Sequence, residues 1–412
     1  MAARKKPELL IPASSLDVLK TAVTYGADAV YIGGEAFGLR AKAKNFSKED
    51  MAEGIAFAHA HDVKVYVTAN ILAHNDDLDG VRAYFRELKT IGPDALIISD
   101  PGVFMIAKSE LPEMELHIST QANNCNYGTF NFWHQLGAKR VVSARELSLY
   151  ELKQIRAHIP DDLEIETFVH GAMCISYSGR CTLSNHMSMR DANRGGCSQS
   201  CRWKYDLYDL PFGEERRSLT KNGAVSEDFS MSAVDMSMIE HIPDLIQNGV
   251  DSFIIEGRMK SIHYVSTVSN VYKAAVDSYM ADPENYVCKQ EWIDELWKVA
   301  QRELATGFYY NIPTEEEQLF GARRKIPEYK FIGEVLAYDE ASQTATVRQR
   351  NAFEVGDEIE FYGPGFHHFE HKVDVMYNEE GESIDRAPNA MMILTMPVIE
   401  KVSPGDMIRK RK

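Results

Sequence analysis

Ala95-Leu-Ile-Ile-Ser-Asp-Pro-Gly-Val-Phe-Met-Ile-Ala-Lys-Ser-Glu110 leads within a few residues into Leu116-His-Ile-Ser-Thr120. An apolar run of strand length comes first, then a helical run from Val103 to Glu110, then a second apolar run. A strand that is apolar without alternation is covered on both faces, and in a strand–helix–strand unit helices supply the cover. The unit recurs in both directions along the chain. Further candidate strands, rich in Val, Ile, Leu or Tyr, stand at Glu8–Pro12, Ala29–Gly33, Val63–Ala69, Arg140–Ser143, Glu164–Val169 and Ser252–Glu256. Helical patterns separate most of them: Ser15–Tyr25, Lys48–His61, Leu78–Ile91, Tyr127–Leu136 and Leu147–His158. Ser47 with Asp50 three residues on has the form of a capping box, with Asp in place of Glu.

Eight such strands predict an α/β fold, a closed (β/α)8 TIM-like barrel. An open doubly wound sheet is the competing arrangement. The first strand–helix turn, Ile11-Pro-Ala-Ser14, lacks Gly-x-Gly-x-x-Gly, so the dinucleotide fingerprint is absent. A barrel carries its chemistry at the C-terminal ends of its strands. Those ends are polar here: Gly33-Gly34, Asn70, Asp100, Gln121 and Asn123, Arg145, His170, then Glu256 and Arg258.

The connection between the last two strands is far longer than an ordinary strand–helix loop, at about 80 residues. It is read as an insertion, residues 171–250, that caps the barrel mouth and contains a second strand–helix piece, Phe229–Val234 with Met236–Gln247. The barrel domain then spans residues 1–290. A helical linker, 291–328, has helical pattern from Glu291 to Thr306 and a Pro-rich, charged stretch from Pro313 to Pro327. Residues 329–412 change character. Short strands at Phe331–Leu336, Thr344–Arg348, Glu358–Tyr362 and Met392–Thr395 predict a small antiparallel β-barrel. Its end, Arg409-Lys-Arg-Lys412, reads as a solubilising basic tail.

Four of the six cysteines, Cys174, Cys181, Cys197 and Cys201, lie in the insertion as C-x6-C-x15-C-x3-C. No apolar run approaches the roughly 20 residues that span a bilayer, and no signal-peptide pattern follows the basic start. The protein is therefore read as cytoplasmic, where clustered thiols serve metals or catalysis rather than disulfides. Structural zinc prefers paired tight knuckles, and only Cys197/Cys201 is tight, so an iron–sulfur cluster is favoured over zinc or unmetallated thiols. Neither His-Glu-x-x-His nor Gly-x-Ser-x-Gly occurs; a Cys–His pair from His170 and Cys174 is the one hydrolytic pattern available. Net charge is −16, which argues against a nucleic-acid partner, yet Arg180, Arg190, Arg194, Arg202 and Lys204 face a single acid, Asp191, between residues 180 and 204. That loop is a candidate anion site.

Glu166-Thr-Phe-Val-His-Gly-Ala-Met-Cys-Ile-Ser-Tyr-Ser-Gly-Arg-Cys-Thr-Leu-Ser184 resembles the signature of the collagenase-like peptidases, U-type peptidase family 32. Arg194-Gly-Gly-Cys-Ser-Gln-Ser-Cys-Arg202 and Ile255-Glu-Gly-Arg-Met-Lys260 resemble its other motifs, and the likeness extends through the C-terminal region. Despite the name, several members hydroxylate tRNA, ribosomal RNA or the ubiquinone ring without molecular oxygen, and carry a [4Fe-4S] cluster on four cysteines. The resemblance implies that cofactor on Cys174, Cys181, Cys197 and Cys201. The two-domain length implies the tRNA-directed members, which form 5-hydroxyuridine at the wobble position with prephenate as an associated metabolite. A shorter family member is a conceivable hetero-partner. Peptidase activity, or hydroxylation of another RNA or a small aromatic, is the alternative. Glu166, His170, Glu256 and Arg258 are the catalytic candidates; Arg180, Arg190, Arg194 and Arg202 are the substrate-binding candidates.

Overall fold

The computed structural model describes residues 5–39, 45–205, 208–209, 217–218, 230–314, 317 and 327–412. Eight parallel strands form its first domain: β1 (Glu8–Pro12), β2 (Ala29–Gly33), β3 (Lys64–Ala69), β4 (Ala95–Ile98), β5 (Glu115–Ile118), β6 (Arg140–Val142), β7 (Glu164–Ala172) and β8 (Ser252–Ile255). Strand β8 pairs in parallel with both β1, through Glu8 opposite Ser252, and β7, through Glu166 opposite Ser252. That double pairing closes the barrel and excludes the open sheet. The helices begin where side chains can satisfy their first N–H groups. Ser15, Asp100, Asn126 and Ser261 each accept a backbone N–H, and Ser148 with Glu151 forms a full capping box. Ser47 accepts from Asp50 N at 3.1 Å, which is half of the predicted box.

The bottom of the barrel is filled by charge. Arg140, almost fully buried, reaches Glu8 at 2.5 Å, Glu164 at 2.7 Å and Glu166 at 3.0 Å. Buried charge is tolerable only when paired in this way. Burial pushes the Glu166 carboxyl up to about 7 against the pull of Arg140.

Strand β7 runs three residues beyond its predicted end at Val169. His170, Gly171 and Ala172 pair antiparallel with Ser237, Met236 and Asp235. The strand of the insertion's predicted strand–helix piece is thus Asp235–Ser237 rather than Phe229–Val234, because the pairing partner lies on the extension of β7. Phe229 itself lies outside the described residues. The helix that follows is shorter than predicted, Ile242–Gln247 after a turn at Ile239–His241. Likewise the linker helix stops at Val299 (Gln290–Val299), and Leu304–Ala305 pairs with Asp235–Met236 instead of continuing it. Much of the Pro313–Pro327 stretch lies outside the described residues.

The C-terminal region is antiparallel, with its own core around Ile332, Val347, Phe361 and Leu394. The terminal Arg409-Lys-Arg-Lys412 is no free tail. Met407–Arg411 is a central strand between Tyr329–Asp339 and Glu358–Gly363, and the side chain of Arg409 is fully buried against Glu295 and Glu360, 2.8 Å from each. Further hydrogen bonds join the domains, among them Tyr362 Oη, 2.6 Å from His263 Nδ1, and Asn270, which donates to Gly363 O at 3.0 Å.

Candidate functional site

A cavity of about 640 Å³ opens at the C-terminal ends of the barrel strands. Its floor is polar. Arg258, from the turn after β8, donates to Leu39 O at 2.8 Å and to Asn45 Oδ1 at 2.9 Å, and lies 3.3 Å from Thr68 Oγ1. The absence of a side chain on Gly33 makes room for it, since a Cβ there would sit 2.0 Å from Arg258 Nη2. Asn70 is held by Ser119 at 3.1 Å and by the Leu39 N–H at 3.2 Å. Gln121, Arg145 and Glu256 also line the space.

All four insertion cysteines are half-buried on this same cavity. The segment that carries them has little regular structure, only the helix Leu183–Ser188 and turns at Ala192–Arg194 and Ser200–Arg202. Hydrogen bonds beside the thiols fix it instead. Asn193 donates to Cys181 O at 2.8 Å, Arg202 donates to Met173 O at 2.9 Å, and Tyr205 donates to Ser200 O at 2.6 Å. Gly179 is pressed on Gln121, where a Cβ would lie 2.0 Å from its carbonyl oxygen. Burial lifts the Cys201 thiol to about 11; Arg202 opposes this, and the other three thiols add to it. What the four cysteines share is the cavity they line. Among the described residues, no three of their sulfurs lie within 4.8 Å of one another.

The arginines divide. Arg194 makes a two-pronged pair with Asp77, at 2.6 and 3.1 Å, and Arg202 binds Met173 O and Ser232 Oγ. Both therefore brace the loop. Arg180 and Arg190 are exposed. His170 and Glu166 do not reach the cavity. His170 is buried against Tyr272 and Tyr264, with Nδ1 3.3 Å from Tyr272 Oη, and burial holds it neutral by lowering its pKa to about 3. Glu166 belongs to the Arg140 network at the opposite end of the barrel.

Reading the sequence missed three cavity residues, Lys298, Arg302 and Tyr329. They come from the expected linker and from the first C-terminal strand. Arg302 is paired with Asp235 at 2.7 Å, and Lys298 with Glu295 and Glu360. No local pattern marks them, because contacts distant in sequence bring them to the rim: Arg302 through Asp235, Lys298 and Tyr329 through the meeting of the linker helix with the C-terminal domain. Among the described residues, no helix is long and apolar enough to cross a membrane.

Family models match nearly the whole chain: Peptidase family U32 over residues 14–319, and the Peptidase family U32 C-terminal domain over 327–409. The chain is 47% identical to tRNA hydroxylation protein P1 of Bacillus subtilis (strain 168), covering 99% of this chain and 96% of that protein. It is 35% identical to tRNA hydroxylation protein P of Escherichia coli (strain K12), covering 95% and 94%. Over 67% of this chain and 40% of the other it is 38% identical to the 23S rRNA 5-hydroxycytidine C2501 synthase of Escherichia coli (strain K12). With the barrel, the cysteine insertion and the C-terminal region all matched, the chain belongs to peptidase family U32.

Proposed function

We propose that this protein is an RNA hydroxylase acting on tRNA. The observation that carries the reading is the end-to-end likeness to a protein named for tRNA hydroxylation. In its finer form, the reaction converts the wobble uridine to 5-hydroxyuridine without molecular oxygen, with prephenate as cosubstrate and a [4Fe-4S] cluster on Cys174, Cys181, Cys197 and Cys201. A shorter family member as hetero-partner and a cytoplasmic location belong to the same proposal.

The donor set suits that cluster. Four half-buried thiols on one cavity offer soft ligands, and their uneven C-x6-C-x15-C-x3-C order along the chain suits a four-thiolate cluster better than the paired tight knuckles of structural zinc. When bound, such a group supplies electron-transfer or Lewis-acid chemistry. The chain's own residues do the rest. A uridine drawn out of its stack meets amide and hydroxyl groups able to bond its edge, from Asn70, Ser119 and Gln121. Arg258, Lys260 and Arg145 line the same cavity and provide positive charge for a carboxylate such as that of prephenate.

Against the peptidase alternative, His170 is turned to Tyr272 and away from the cavity, so it does not serve a thiol nucleophile there. Protein purified without oxygen should be brown and contain about four iron and four sulfide per chain. Colourless, metal-free protein that cleaves peptides would overturn the proposal.

A further inference from the structure

We propose that the rim of the cavity is a docking surface for a single-stranded RNA loop, with the ring of Tyr177 as a base-stacking platform and Arg180 and Arg190 as phosphate-binding groups. The inference rests on the RNA reading above and assigns it a surface. Tyr177 lines the cavity mouth yet is 58% exposed. Ile175 and Met259, at 41% and 51%, line the same mouth. Exposed apolar residues scattered singly are ordinary; gathered around a large opening, they mark a binding site.

Charge selects the occupant. The chain carries −16 overall, while the loop beside Tyr177 is basic. Two of its arginines are already engaged, Arg194 with Asp77 and Arg202 with Met173 O. Arg180, three residues beyond Tyr177, and Arg190 are the exposed pair. An exposed aromatic ring with one exposed arginine at its own turn, Arg180 N–H donating to Tyr177 O at 3.0 Å, and a second, Arg190, further along the same loop, on an otherwise acidic body, fits a polyanion with unstacked rings. That is the chemistry of a single-stranded loop rather than a duplex. The mouth opens onto about 640 Å³, so a base leaving the loop enters the cavity directly.

Binding of a fluorescent anticodon stem-loop RNA to the full chain, measured across a salt series, tests this. Tyr177→Ala should weaken binding by about 5- to 150-fold, as expected when one base–aromatic stack is removed, while Tyr177→Phe should bind as wild type does. Arg180→Gln with Arg190→Gln should reduce the slope of log affinity against log salt by about 0.7 for each phosphate that is no longer neutralised. Arg194→Gln should leave that slope unchanged and lower the melting temperature. Melting curves of the Tyr177 and Arg180/Arg190 variants matching wild type would separate weakened RNA binding from impaired folding. Wild-type affinity and slope in Tyr177→Ala and in the double variant would overturn the docking surface while leaving the RNA reading intact. If wild type itself does not bind the RNA, the RNA reading falls and this surface with it. Apolar partners captured by the rim without salt dependence would instead make it a protein interface and overturn the proposal.

Discussion

Gly33 and Arg258 show how much of the cavity depends on single atoms. Arg258 crosses the barrel mouth to Leu39 O, Asn45 and Thr68, and it does so through the space a side chain on residue 33 would fill. Gly33→Ala should therefore displace the guanidinium and strain its buried surroundings, costing about 1–3 kcal/mol in thermal or denaturant unfolding. It should also reduce hydroxylation more than stability, because Arg258 faces the cavity. Unchanged activity with unchanged stability would show that the guanidinium tolerates displacement. The roles of neighbouring candidates were harder to read. Glu166 and His170 sit on the strand that enters the cysteine motif, but the sequence does not encode depth along a barrel. Glu166 faces the Arg140 network at the bottom, and His170 turns toward Tyr272.

At the scale of elements, the barrel was legible because its strands are covered on both faces and so carry no polar alternation. Strands β1 and β2 match their predicted bounds, and the helices Leu78–Ile91 and Tyr127–Leu136 do as well. The pattern failed where pairing, rather than composition, decides. The extension of β7 recruits Asp235–Ser237, and that strand in turn recruits Leu304–Ala305 out of a helical pattern. It failed again at Met407–Arg411, where a run of basic residues looked like a tail. Arg409 is instead buried between Glu295 and Glu360 in the domain interface. Removing it in Arg409→Met leaves two buried carboxylates short of their partner and should cost about 3–5 kcal/mol. Burial alone would raise the Glu360 pKa, but hydrogen bonds and charge from Arg409 and Lys298 hold it down at about 2. Its folded pKa is thus below the unfolded value of 4.5, so its stabilisation is complete above that value and is lost as pH falls toward 2. The stability gap between wild type and Glu360→Gln should be widest near neutral pH and close across that window. A gap independent of pH would contradict the pairing.

For the whole molecule, the cavity draws on three parts of the chain: the barrel rim, the cysteine insertion and the approach to the C-terminal domain. The first two were visible in the sequence, one as periodic apolar runs and the other as clustered thiols. The third was not, because Arg302 reaches the rim through its pairing with Asp235, and Lys298 and Tyr329 through the contact between the linker helix and the C-terminal domain. Mass spectrometry of nucleosides in tRNA from a strain lacking this gene, and from the same strain supplied with wild type or with Cys174→Ala, joins these parts to the proposed activity. The expected result is loss of 5-hydroxyuridine in the deletion, its return with wild type, and no return with Cys174→Ala even where that variant accumulates as folded protein. Unchanged 5-hydroxyuridine in the deletion strain, or full restoration by Cys174→Ala, would contradict it.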